Sequence, residues 1–260
     1  MQDCTLFHTG VYESADGVII DSKVYLKREE GKLYLPDALL LEGTSFGRDD
    51  NDFITESDVE DEMIKISNDT EGLVLVQQSS QNIDRLVSFY RAAIQSDRLF
   101  VIDFYTANIL SVLKDYANTP YPSKKFPDIK VFYPFYLSKR MVNQGNEDLL
   151  YKFKYYKITK EEIADKTSKV MMLVRSSMVS DMKIINSFND SSFVYSLWDG
   201  YLQEDSMNEM LEFIKQNNIK FHKVHTSGHA SLKTLNKVVN RLKPEIVIPI
   251  HTFCPDKYFV

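Results

Sequence analysis

Short apolar runs alternate along this chain with longer segments whose apolar residues recur every three to four positions, and few folds accept that pattern. Residues 73–76, 99–102, 171–174, 193–197 and 246–250 are runs of the first kind and read as buried strands, with 220–224 as a further strand. Ile83, Leu86, Val87, Tyr90 and Ile94 form an i, i+3, i+4, i+7 stripe that predicts a helix over 82–96. Met207, Met210, Leu211 and Ile214 form a second stripe; Leu232, Leu235, Val238, Val239 and Leu242 form a third, over 231–242. A helix is also expected over 105–116. Ser57-Asp58-Val59-Glu60 has the form of a capping box, and Val59, Met63 and Ile66 follow at helical spacing. A parallel neighbour strand needs a crossover long enough for a helix, so the alternation predicts an α/β fold with largely parallel pairing. Residues 33–41 end in an apolar run that reads as another strand, closed by the loop Glu42-Gly43-Thr44-Ser45. Four prolines make 117–135 a loop with short extended pieces, and the charged stretch 145–169 is expected to be helical.

Composition narrows the function classes. At 43% hydrophobic residues a core can form, which excludes a wholly disordered chain. Two cysteines, Cys4 and Cys254, exclude a disulfide scaffold and a four-cysteine zinc site. No apolar run reaches the roughly 18 residues of a membrane helix. The N-terminus has neither the basic nor the apolar region of a signal peptide, so a cytoplasmic protein without a membrane partner is expected. The net charge of −6 is uneven: residues 1–75 carry −12 and residues 121–170 carry +5. In the basic stretch, Lys124, Lys125, Lys130, Lys139, Arg140, Lys152, Lys154, Lys157 and Lys160 lie among ten aromatic residues. Such a mixture either pairs phosphates and stacks bases or is an amphipathic surface with aromatic core anchors.

The chemistry-bearing residues gather near the end. Of five histidines, His222, His225 and His229 crowd together, and His251 closes an apolar strand. His225-Thr226-Ser227-Gly228-His229-Ala230 reads as a strand-to-helix turn, where backbone amides and hydroxyls suit an anion. In open α/β sheets, ligands and metals collect at the carboxyl ends of strands. A strand–helix–strand unit across 220–250 would bring His229 and His251 to one sheet edge. Neutral imidazole serves as metal ligand or as general acid and base.

That pair of segments, Ser227-Gly228-His229 and Pro249-Ile250-His251-Thr252, resembles the RNA-specificity motif of the β-CASP branch of metallo-β-lactamase-fold proteins, to which ribonuclease J belongs. Weaker likenesses precede it in the family's order. Leu40-Leu41-Glu42-Gly43-Thr44 resembles a strand and loop of the lactamase core. Ser79-Ser80 with Asp84-Arg85 resembles the start of the β-CASP insertion, and 99–103 its acidic motif. Ser196-Leu197-Trp198-Asp199-Gly200-Tyr201 resembles the return to the core. The resemblance implies part of an αββα sandwich, from 1–75 and 206–260, with an inserted α/β domain over 76–205. It implies catalytic roles for His229 and Asp103, a metal-ligand role for His251, and phosphate binding by Ser227, Gly228, Ser79 and Ser80. Asp103 also reads as a helix N-cap.

One departure bears on activity. The family's zinc ligands come mainly from a His-x-His-x-Asp-His loop, and no His-x-His occurs in this sequence. The later family aspartate sits in a Tyr-Thr-Gly-Asp turn; the nearest match is Phe7-His8-Thr9-Gly10-Val11, and valine cannot ligate a metal. Catalytic zinc takes three protein ligands. Zinc is therefore expected only in an assembled site, and none in the lone chain. Three readings stay open: a truncated or degenerate, non-catalytic β-CASP relative; part of an active zinc-dependent phosphodiesterase whose histidine-rich loop comes from another segment or chain; and a phosphate-ligand binding module. RNA or another phosphodiester is the expected ligand, and a second chain or homodimer is expected to cover the half-sandwich.

Overall fold

A computed structural model describes residues 6–9, 13–14, 17–18, 38–44, 54–226, 230 and 232–254. The chain forms two compact units: Met1–Glu56 with Thr226–Val260, and Ser57–His225. The first unit opens with β1 (Leu6–Thr9), a small ribbon of β2 (Glu13–Ser14) and β3 (Gly17–Val18), and β4 (Ala38–Glu42).

The second unit is built as the alternation predicts. In chain order it runs α1 (Glu56–Asn68, entering from the boundary), β5 (Val74–Gln77), α2 (Ile83–Gln95), β6 (Leu99–Asp103), α3 (Phe104–Leu113) and β7 (Ile129–Phe132). It continues through α4 (Phe135–Asn143), α5 (Asp148–Tyr151), α6 (Lys160–Asp165), β8 (Val170–Leu173), α7 (Val179–Ile185), β9 (Ser192–Tyr195), α8 (Asp205–Gln216) and β10 (Lys220–Lys223). The six strands form one sheet in the order β10-β9-β5-β8-β6-β7, and every pairing is parallel. Both faces are covered. Val74 and Val76 of β5 face a cluster with Met63 of α1, Phe89 of α2 and Leu110 of α3. Leu73 and Leu75 face Ile163 of α6, Met182 of α7 and Met210 of α8 on the other side. The period-2 alternation of a strand thus feeds two helical layers, which is why β5, β8 and β9 are buried throughout.

The last helix and strand, α9 (Leu232–Leu242) and β11 (Ile246–Ile250), return to the first unit. There β4 is the middle strand of a parallel sheet, β1-β4-β11. Leu235, Val238 and Leu242 of α9 pack on Leu39 and Leu41. Register places Leu40 beside Ile248 and Ala38 beside Ile246, and both isoleucines are exposed. One face of this sheet is covered by α9, and its edge strand shows apolar side chains on the other.

Several expectations change. The units divide at Glu56/Ser57 and His225/Thr226, not at 75/76 and 205/206. Residues 57–75 and 206–225 join the larger sheet because Val59, Met63 and Ile66 anchor α1 on one face of it and Met207, Phe213 and Ile214 anchor α8 on the other. The strands 220–223 and 246–250 lie in different sheets, so no single strand–helix–strand unit joins them. Phe221 stacks on Phe193 and Tyr195, which holds β10 beside β9. The stretch 145–169 is not one helix. Lys157 bridges to Val131, and Ile158 N–H donates to the Val131 carbonyl at 3.0 Å, so the backbone must extend there before α6 begins. Thr159 and Glu162 form the capping box of α6. Ser57 lies inside α1, one residue after its start. Among the described residues, no helix is long and apolar enough to cross a membrane.

At the amino ends of the strands, buried Arg98 lies within hydrogen-bond distance of five carbonyls: Ser67, Thr70, Gly72, Thr167 and Val170. Burial lowers its pKa, and these oxygens stand in for water around the guanidinium. Gly72 is also tightly packed on its other side, where a Cβ would collide with the Asn189 carbonyl oxygen. Arg98→Met is expected to orphan this group of buried carbonyls and to lower stability by about 3 kcal/mol or more. Urea unfolding of the two proteins measures it, and Arg98→Lys should recover only part of the loss.

Candidate functional site

All six strands of the larger sheet end at the same edge, and a set of buried polar side chains gathers there. Asp103 is the last residue of β6 and the N-cap of α3. Its Oδ1 accepts from Thr106 N–H at 2.7 Å, and its Oδ2 accepts from Arg175 Nε at 2.6 Å. Arg175 stands just beyond β8 and reaches Ser80, beyond β5, through Nη2 at 2.5 Å. The Ser80 and Thr106 hydroxyls are 2.7 Å apart. The Arg175 guanidinium also lies 5.4 Å from the Tyr105 ring centroid. Three adjacent strands, β5, β8 and β6, therefore contribute one residue each to a single network. Asp103 is buried while the Arg175 side chain is about one-third exposed.

A second cluster occupies the β9 and β10 ends. Arg85, fully buried in the first turn of α2, hydrogen-bonds Ser196 Oγ beyond β9. Its Nη1 is 3.5 Å from His225 Nδ1 beyond β10. Gln77, the last residue of β5, donates to Met207 Sδ at 3.1 Å. The next residue, Gln78, is buried with neither amide atom hydrogen-bonded among the described residues. His222 lies elsewhere, in a pocket of about 350 Å³ with Glu62, Asp69 and Lys220, and burial lowers its pKa.

In the first unit, the ends of β4 and β11 lie side by side. Gly43 N–H donates to the Ile250 carbonyl at 2.9 Å, and Thr44 Oγ1 to the His251 carbonyl at 3.3 Å. His251 is exposed, on left-handed backbone with φ of 54°. Glu42 is buried, and its Oε1 accepts from Ala230 N–H at 3.2 Å. That bond ties the residue after Ser227-Gly228-His229 to the strand end beside His251. Ser227, Gly228, His229 and Val11 themselves lie outside the described residues.

Of the other expected site residues, Asp103 and Ser80 are joined by Arg175, whereas Ser79 is exposed and its Oγ accepts from Gln81 N–H at 3.3 Å. Asp103 has both carboxylate oxygens committed, one to the cap and one to the ion pair. Arg175, Ser196 and Thr106 were not singled out as site residues from the sequence. Arg175 was legible in principle, because it follows an apolar strand directly and strand ends collect function in such sheets. Among the described residues, no group of three or more His, Cys, Asp or Glu side chains is placed to hold a metal, so those residues do not fit a catalytic zinc.

Residues 208–255 match the family model described as the Zn-dependent metallo-hydrolase RNA specificity domain. The match runs from α8 to just beyond His251 and supports the metallo-β-lactamase and β-CASP branch. No curated protein matches the chain. Among solved structures, a crystal structure of a protein of unknown function from Enterococcus faecalis V583 superposes on the whole chain with a TM-score of 0.61 at 16% identity. The chain spans 55% of that protein's length. At that identity the likeness concerns the fold, which is mixed α/β with parallel sheets.

Truncating Arg175 tests what the edge network contributes. Arg175→Met leaves a buried carboxylate with only its cap, and a loss of about 2–4 kcal/mol is expected. Asp103→Asn keeps an N-cap acceptor and removes the charge, so it should lose less. Thermal unfolding of both variants checks the order.

Proposed function

We propose that this chain is a β-CASP-type relative of RNA-processing metallo-hydrolases that binds single-stranded RNA and does not cleave it as a lone chain. The observation that carries the reading is the match of 208–255 to an RNA specificity domain of zinc-dependent metallo-hydrolases. Support for the second half comes from the sequence: no His-x-His is present, and Val11 stands where the family places a ligating aspartate. The exposed Ile246 and Ile248 support a covering element on the small sheet, supplied by a further segment, a second copy or another chain. In this reading 57–225 corresponds to the insertion, and the unit of β1, β4, α9 and β11 to part of the lactamase-like core.

One observation favours the alternative, an active zinc-dependent phosphodiesterase with its histidine-rich loop supplied from elsewhere. The buried Glu42 closes β4 and the exposed His251 follows the neighbouring β11, an edge where incoming ligands could complete a metal site.

The test is binding and cleavage of a labelled single-stranded RNA by the purified chain, with elemental analysis after dialysis. Binding that weakens with salt, cleavage at background and substoichiometric zinc are expected. Stoichiometric zinc, with cleavage lost in His251→Ala, would show an assembled enzyme. Absence of RNA binding would remove the RNA reading.

A further inference from the structure

The aromatic residues of the basic stretch divide into two populations. Phe153 is buried, and Tyr133 stacks on Phe104 with centroids 5.6 Å apart. These are core anchors. Phe135, Tyr136, Tyr151 and Tyr155 are instead 56%, 57%, 66% and 85% exposed. Helical geometry explains the split on α4. Leu137 and Met141, four apart, pack on the core beneath. Phe135 with Lys139, and Tyr136 with Arg140, are two further i, i+4 pairs, and all four residues are exposed. The Phe135 and Tyr136 rings meet edge to face at 5.4 Å. α4 touches α5, which ends at Tyr151, and the 3-10 turn Lys154–Tyr156 follows directly. The exposed rings and cations therefore occupy adjoining elements.

Charge separates this surface from an ordinary apolar patch. Between 135 and 157, five basic residues face two carboxylates, Glu147 and Asp148, in a chain of net charge −6. Lys139, Arg140 and Lys154 form no ion pair among the described residues, and Lys154 Nζ lies 5.1 Å from the Tyr155 centroid. Exposed rings spaced among cations fit a ligand that presents flat π faces on a polyanionic backbone. A duplex hides its bases in the stack; a single strand offers them.

We propose that the outer face of α4, with Tyr151 and Tyr155, is the surface on which this chain holds single-stranded RNA. Bases stack on the Tyr136, Tyr151 and Tyr155 rings, and Lys139, Arg140 and Lys154 neutralise phosphates. This rests on the RNA reading given above and names the surface that serves it.

Fluorescence anisotropy with a labelled oligouridylate, over a salt series on the full chain, tests it. Tyr136→Ala/Tyr155→Ala should weaken binding about tenfold or more while leaving the salt slope nearly unchanged. Tyr136→Phe/Tyr155→Phe should bind within about twofold of the parent, because the ring is kept. Lys139→Glu/Lys154→Glu should weaken binding and flatten the slope of log affinity against log salt by about 1.4 or more. All four side chains are exposed, and circular dichroism confirms that the variants fold. If the parent binds and the alanine and glutamate variants bind equally well, this surface is not the RNA site, while the RNA reading of the chain stands. If the parent does not bind, the RNA reading fails and this proposal with it. If light scattering shows that the alanine variant splits a parental dimer with RNA affinity unchanged, the surface is a protein interface and the proposal is overturned.

Discussion

A parallel sheet covered on both faces has little room for polar groups except at its two edges, and the larger unit of this protein is organised by that restriction. Six parallel strands put every amino end at one edge and every carboxyl end at the other. At the amino edge a single guanidinium, Arg98, collects the carbonyls of the α1 terminus, the β5 approach and the β8 approach. At the carboxyl edge the same need is met by side chains from different strands. Asp103, Arg175, Ser80 and Thr106 satisfy one another. A buried polar group without partners destabilises the fold, so fastening and site-building draw on one set of residues.

That sharing changes the weight of Asp103. A carboxylate that caps a helix and neutralises an arginine already has a structural role without a substrate. The neighbouring positions are not so uniformly committed. Gln78 places an amide with no hydrogen-bond partner among the described residues at the end of a central strand. The smaller unit follows a different rule. Its three-stranded sheet is covered by α9 on one face, and Glu42 sits at the end of its middle strand, holding the amide of Ala230. The RNA specificity match passes through both units, from α8 in the larger to β11 in the smaller.

The basic aromatic stretch shows how packing turns one composition into two surfaces. Lysines and aromatic rings alternate there with no obvious division. A turn that extends at Lys157–Ile158 to meet β7 fixes Phe153 inward and leaves Tyr151 and Tyr155 outward. Opposite sides of α4 do the same for Met141 and Tyr136. The result is a positive, ring-bearing surface on an acidic protein.

The sequence by itself determined the α/β class, the parallel pairing and most strand positions, because a buried strand and an amphipathic helix each carry a local period. It also marked Asp103 at the end of one strand and His251 at the close of another, whereas Ser80 entered only through the resemblance to the start of the insertion. Which strands share a sheet was decided by tertiary structure. Residues 220–223 and 246–250 flank one helix, yet β10 joins β9 while β11 joins β4. The stacking of Phe221 on Phe193 and Tyr195, and of α9 on Leu39 and Leu41, makes that choice between residues distant in sequence. The unit boundaries, the Arg175 link and the outward rings follow from the same cause. Period reports the local element, while neighbours across a sheet are set by packing that no local window contains.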